Sequence, residues 1–138
     1  MILAGGMPRS YLPIDEREYS MNTSDLLTFC MSKPGAEQTY KNEWDATQIK
    51  SEGVLFAMVH DAKGRPALSL KTSPALADLL REEHSDVFPS EHLNKTHWST
   101  LWLDGSLKDS QIYYLVDASW QQADATRAAG ISHDEDSR

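Results

Sequence analysis

The stretch Val54–Val59, VLFAMV, limits most strongly what this chain can fold into. A short, continuous apolar run bounded by turn residues marks a strand buried in the middle of a sheet. Ser51-Glu52-Gly53 turns the chain before it, and Asp61-Ala62-Lys63-Gly64 turns it afterwards. On either side, residues 44–50 (WDATQIK) and 67–71 (ALSLK) read as strands rich in Trp, Thr, Ile and Leu. Links this short make an antiparallel meander the economical arrangement. Pro66 falls at the start of the third strand, where a missing N–H is tolerated.

Helices fill the remaining segments. Asn22 or Thr23 can cap a short helix over 24–32, with Leu26, Leu27, Cys30 and Met31 as its apolar stripe and Pro34-Gly35 as its stop. Ser73-Pro74 starts a second helix that ends near His84 and buries Leu76, Leu79 and Leu80. Residues 85–97 form a long connection. Trp98–Leu103 alternates as a strand, with Trp98, Thr100 and Trp102 on one face and Ser99, Leu101 and Leu103 on the other. The last helix, from Asp109 to Ala123, repeats Ile112, Leu115, Val116, Ser119 and Trp120 at helical spacing. The expected order is α-β-β-β-α-β-α, an α+β two-layer sandwich with helices on one face of an antiparallel sheet. Residues 1–20, with Gly5-Gly6, Pro8 and Pro13, read as a loose extension in which Met21 offers an alternative start; residues 124–138 read as a disordered tail. The domain itself is expected over 21–123.

Composition narrows the function classes. At 138 residues with 40% apolar content, the chain suits one domain with its own core. Cys30 stands alone, which fits a reducing compartment, and MILAGGMPRS lacks the pattern of a secretory signal. No stretch approaches a membrane span. A cytoplasmic location is therefore expected. The net charge is −8. It is spread over the chain: residues 1–20 hold two basic and three acidic side chains, residues 124–138 two and four, and the middle nine and fourteen. Any anion site is therefore local, set against an acidic background.

Residues 92–107, HLNKTHWSTLWLDGSL, together with Lys33-Pro34-Gly35-Ala36-Glu37, Leu70-Lys71-Thr72-Ser73-Pro74 and Asp117-Ala118-Ser119-Trp120, resemble the YjbR/MmcQ family over about Met21 to Ala123. The resemblance implies a compact fold likened to frataxin or to secretion chaperones. It also implies DNA binding, through a double-wing shape shared with a phage transcription factor. Lys108 stands where the family commonly has proline.

Four candidate sites follow. If the three strands form a meander, Lys50 and Lys71 fall at one end of the sheet, within reach of His92, Asn94, Lys95 and His97. Together these could hold a phosphate or carboxylate. The plainer alternative is a loop tied down by Asn94 and the histidines, with solvated lysines blunted by Glu52 and Glu91. Lys63 and Arg65 at the hairpin tip could touch a DNA backbone, or simply keep a turn soluble. Glu91, His92 and His97 match no metal spacing, while His60 and His84 stand isolated. Ser99, Thr100, His97 and Asp104 hint at a triad but lack a nucleophile elbow. Cys30 reads as a packing residue, and Trp98 and Trp102 read as core. No cofactor is implied. The expectation is a non-enzymatic binding module, for DNA by the resemblance, with a peptide-binding adaptor or a binder of small anions at HLNKTHW as alternatives.

Overall fold

The computed structural model describes residues 22–129. The loose extension over 1–20 and the tail beyond Ala129 lie outside the described residues. Helix α1 (Thr23–Met31) is capped by Asn22, whose side-chain oxygen accepts from the N–H groups of Ser24 and Asp25 at 2.7 and 3.3 Å. Strand β1 (Ala36–Lys41) and a 3-10 turn (Asn42–Trp44) lead into β2 (Ala46–Ser51), β3 (Val54–Ala62) and β4 (Arg65–Lys71). Helix α2 (Pro74–Glu83) begins with the Ser73 hydroxyl accepting from the Leu76 N–H and with Pro74 in its first turn. Short β5 (Val87–Pro89), β6 (Trp98–Trp102) and helix α3 (Asp109–Ala128) complete the chain.

The six strands pair in the order β1-β2-β3-β4-β6-β5, and every pairing is antiparallel. The two-layer α+β class therefore stands, with one correction to the element list: strands border the sheet on both sides where none was expected. Strand β1 (AEQTYK) lacks apolar alternation because, as an edge strand, it is mostly exposed. Strand β5 is three residues long and contains Pro89, a residue readily accommodated on an edge strand. Helix α3 also runs past the expected Ala123 to Ala128, so residues 124–128 are helical rather than tail.

Both hairpins of the meander close with two residues. Ser51 opposes Val54 across Glu52 and Gly53, at φ of 49° and 89°. Ala62 opposes Arg65 across Lys63 and Gly64, at φ of 55° and 81°. Two positive φ values in succession define the turn whose twist matches the flanking strands, and glycine takes the second position without steric cost.

All three helices lie on one face of the sheet. There Leu26 and Cys30 of α1, Leu80 of α2 and Ile112, Leu115, Val116 and Ala123 of α3 join Ile49, Phe56, Ala57, Val59, Leu68, Leu70 and Leu101 in one core. Leu79, expected to be buried, is 46% exposed, and Ala77 takes its place inward. Ser119, also on the inner stripe of α3, does more than pack. Strands β3 and β4 stop pairing at Ala57–Leu70, beside the bulge at Ile49/Lys50. At that point the Ser119 hydroxyl donates to the Phe56 carbonyl (2.6 Å) and accepts from the Lys71 N–H (2.9 Å). It thereby satisfies backbone groups that would otherwise be buried without partners.

Among the described residues, the opposite face carries no helix. Its smaller cluster of Ala46, Leu55, Met58, Leu93 and Trp98 is sheltered by the 3-10 turn, through Trp44, and by the loop after β5, through Leu93.

Candidate functional site

Residues directly opposed in an antiparallel ladder share a face. On the helix-free side the register lines up Gln48, Met58, Ser69, Thr100 and Phe88 in one row across five strands. His60 lies two residues beyond Met58 and Ser90 two beyond Phe88, so both side chains rise from that same face. They border a cavity of about 150 Å³ lined also by Trp44, Asp61, Lys63, Glu91 and His92.

A chain of hydrogen bonds crosses the cavity floor. His60 Nε2 lies 2.9 Å from Ser69 Oγ, Ser69 Oγ 2.7 Å from Thr100 Oγ1, and Thr100 Oγ1 2.9 Å from Ser90 Oγ. Ser69, Ser90 and Thr100 are fully buried. Their direction follows from the His60 tautomer, because each hydroxyl has only one proton to give. His60 Nδ1 sits 3.2 Å from the Asp61 carbonyl, which can only accept. The neutral imidazole therefore carries its proton on Nδ1 and accepts at Nε2. Ser69 donates to His60, Thr100 to Ser69, and Ser90 to Thr100. Burial of the imidazole is the main cause that pulls its pKa below the ordinary histidine value. The Asp61 carbonyl opposes this, and the neighbouring His92 ring reinforces it.

The cavity rim combines aromatic rings with charges of both signs, Lys63 against Asp61 and Glu91. The His92 ring stacks on Trp44 with centroids 5.0 Å apart and planes 12° from parallel. Lys41 Nζ lies 3.7 Å from the Trp44 ring centre, and Lys63 Nζ lies 5.9 Å from that of Phe88.

The residues singled out from sequence are distributed differently. Lys50, opposite Leu55, and Lys71, opposite Trp98, share the helix-free face at one end of the sheet. They stand two strands apart, about 10 Å between backbones. His97 lies at that end too, its carbonyl accepting from the Thr72 N–H at 2.9 Å. Asn94 folds the loop: its side chain accepts from the Thr96 N–H, and its carbonyl accepts from the N–H groups of His97 and Trp98. Lys95 Nζ donates to the Glu91 carbonyl. His92 is directed away from this group, into the cavity beside His60. The expected six-residue cluster is thus split in two.

Arg65 at the hairpin tip pairs with Asp104 (2.6 Å) and lies over the Trp102 ring at 4.1 Å; Lys63 faces the cavity. The Ser99, Thr100, His97 and Asp104 set does not assemble. Thr100 joins His60, Ser99 accepts from Arg81 on the other face, and Asp104 holds Arg65. Trp102 is half-buried rather than core, with its N–H donating to the Ala62 carbonyl. Burial, against the pull of Lys33, pushes the Cys30 thiol up to about 12, which leaves it inert at neutral pH. Among the described residues, no three His, Cys, Asp or Glu side chains gather as a metal would require, and no described helix is long and apolar enough to cross a membrane.

Sequence reasoning missed His60, Ser69 and Ser90, and it missed Arg81. The Arg81 guanidinium fastens the loop over the helix-free face by donating to Ser99 Oγ (3.1 Å) and to the Lys95 and Trp98 carbonyls (2.7 and 2.8 Å). One signal was present: a serine inside the apolar strand RPALSLK, on a strand paired with another that carries Ser99-Thr100.

A six-stranded antiparallel sheet with helices on one face and a polar cavity on the other defines a class of small α+β domain. Within that class, a family model described as YjbR matches residues 31–122, and the chain belongs to the YjbR family. It is 71% identical over 103 residues to "Uncharacterized protein YjbR" of Escherichia coli K12, an alignment covering 75% of this chain and 87% of that protein. "Uncharacterized protein YbdF" of Escherichia coli O157:H7 is 25% identical over 72 residues, 52% of this chain and 59% of that one. Among solved structures, Deinococcus radiodurans DR2400 superposes with a TM-score of 0.68 at 24% identity, covering 81% of this chain and 90% of its own. A Pseudomonas syringae protein gives a TM-score of 0.67 at 22% identity, over 75% of this chain and 99% of its own. At these identities the likeness is one of fold.

Proposed function

We propose that this domain is a non-enzymatic binding module for a small polar molecule, held in the helix-free cavity over the His60–Ser69–Thr100–Ser90 chain. The observation that carries the reading is that chain. Buried hydroxyls and an imidazole are costly inside a fold unless fully paired, and here they are aligned toward a recess rather than sealed in the core. A recess with a few convergent polar groups and aromatic walls is the usual form of a small-ligand site. Lys63 supplies positive charge at the cavity beside the carboxylates of Asp61 and Glu91, and Lys41 lies over the Trp44 ring.

The test is an amide and indole NMR titration with a panel of small carboxylates, sulfonates, nucleotides and sugars. Binding in the cavity moves the Trp44 indole and the amides of His60, Ser90 and His92 together. Duplex DNA is the opposing arm. Shifts confined to Lys50, Lys63, Lys71 and Lys95, with affinity falling steeply as salt rises, would displace the cavity reading in favour of nucleic acid.

A further inference from the structure

The hydroxyl chain has two senses, and the protonation of His60 selects between them. With the ring neutral, all three hydroxyl protons point inward along the chain, and Ser90 offers the cavity only lone pairs. When the ring gains a proton, Nε2–H must donate to Ser69, since both ring nitrogens are now donors. Ser69 then donates to Thr100 and Thr100 to Ser90. The Ser90 proton is released toward the cavity it lines. One proton taken up at His60 thus turns the floor from acceptor to donor and adds a positive charge behind it.

Resting on the cavity reading above, we propose that the pocket takes a single-ring carboxylate or similar small aromatic anion, and that protonation of His60 switches this binding on by reversing the chain. The size agrees, because a cavity of about 150 Å³ accommodates one six-membered ring. Trp44 and Phe88 supply flat walls for the ring, and Lys63 faces the site with its charge. The groups that surround His60 give the switch its bias. Asp61 on its own strand and Glu91 in the loop after β5 favour the imidazolium, while Asp45 beyond the 3-10 turn lines a neighbouring recess with His60. His92 from the same loop opposes it, Lys63 from the turn lines the same cavity, and Tyr40, on the Asp45 side, hydrogen-bonds that carboxylate and stays neutral. Burial tips the balance, so an empty pocket holds His60 neutral at pH 7. An anion in the cavity restores the proton, and by linkage the proton strengthens the anion's binding equally.

The decisive probe is benzenesulfonate, whose charge stays constant across the range. Titrations of the full chain at about pH 5 and about pH 8 bracket the histidine transition. Affinity is expected to fall about tenfold per pH unit above the His60 pKa, because only the protonated fraction is competent. Imidazole nitrogen shifts should show the Nδ1–H tautomer in the free protein at neutral pH and a raised His60 pKa with benzenesulfonate bound. His60→Gln should abolish the pH dependence. Ser90→Ala, which leaves His60 in place, should weaken binding about tenfold at the acid pH only. Equal affinity at both pH values overturns the switch while the cavity reading survives. A protein that ignores benzenesulfonate but shifts Trp44 with another panel compound overturns the ligand class. A cavity silent to the whole panel overturns the reading on which both rest.

Discussion

The two faces of the sheet solve different problems with the same strands. On the helix-covered face, side chains from three helices and five strands merge into one apolar core, and its buried hydroxyls are paired: Ser119 satisfies the backbone and Ser99 accepts from Arg81. On the open face a loop and a single 3-10 turn provide the cover, and the row across the strands is partly hydroxyl. A helix layer removes apolar area from water at about 25 cal/mol per Å² and tolerates little else. A face covered by a loop can retain polar groups if each is paired and if something fastens the loop. Arg81 does so, reaching from the end of α2 to the Lys95 carbonyl in the loop and the Trp98 carbonyl at the start of β6. The lesson is that stability and the candidate site have been assigned to opposite sides of one sheet.

That division can be broken first on the covered side. Phe56→Ala removes a fully buried ring from the main core and should lower unfolding free energy by about 3–5 kcal/mol in urea titrations. Its cavity-side NMR signals should hardly move under folding conditions. Loss of the Trp44–His92 stack in that variant would show that the faces are coupled, and would sink the comparison.

The open face should respond more weakly and in the reverse sense. Thr100→Val keeps the shape but cuts the middle of the hydroxyl chain, leaving Ser69 and Ser90 each short of a partner. A loss of about 1–3 kcal/mol is expected, the range for buried polar groups stripped of a bond. The His60 titration should shift along with it. An unchanged His60 titration in a folded Thr100→Val protein would mean that the chain does not extend beyond Ser69.

The smallest effect is that of pH. Burial first, and His92 with it, lowers the His60 pKa in the folded state, so between that value and about 6.5 the unfolded chain binds more protons than the folded one. Stability is therefore present above pH 6.5 and declines as pH falls toward the folded value. Partial exposure keeps the decline small. Asp86 contributes separately at lower pH. Burial works against its carboxylate, but Ser106 donors at 2.7 Å outweigh that and hold its pKa below the ordinary range, so its contribution disappears only in stronger acid. Chemical denaturation of wild type and His60→Gln at a series of pH values isolates the histidine part, and superimposable curves would remove it.

Much of this molecule was legible along the chain. The meander followed from VLFAMV and its two turns, and α3 from its stripe, because burial on one side imposes a period that a single sequence displays. The edge strands β1 and β5 left no such trace, since an edge strand owes its pairing to the neighbour and not to its own pattern. Asn94 was legible as a loop-binding residue for the same local reason: an Asx side chain finds backbone groups two residues away. The cavity was not. His60, Ser69, Ser90 and Thr100 come from three strands and a loop, and no local rule connects them.

The sequence by itself determined where the helices and the inner strands run and that an α+β sheet would form, because periodicity and turn chemistry are properties of neighbouring residues. The choice of residues that face one another belonged to tertiary structure. Register decided that His60 meets Ser69 and Thr100 rather than His97, and that His92 leaves the lysines for Trp44. Register is a relation between distant segments, fixed only when the covered face closes its core and the strands lock in place.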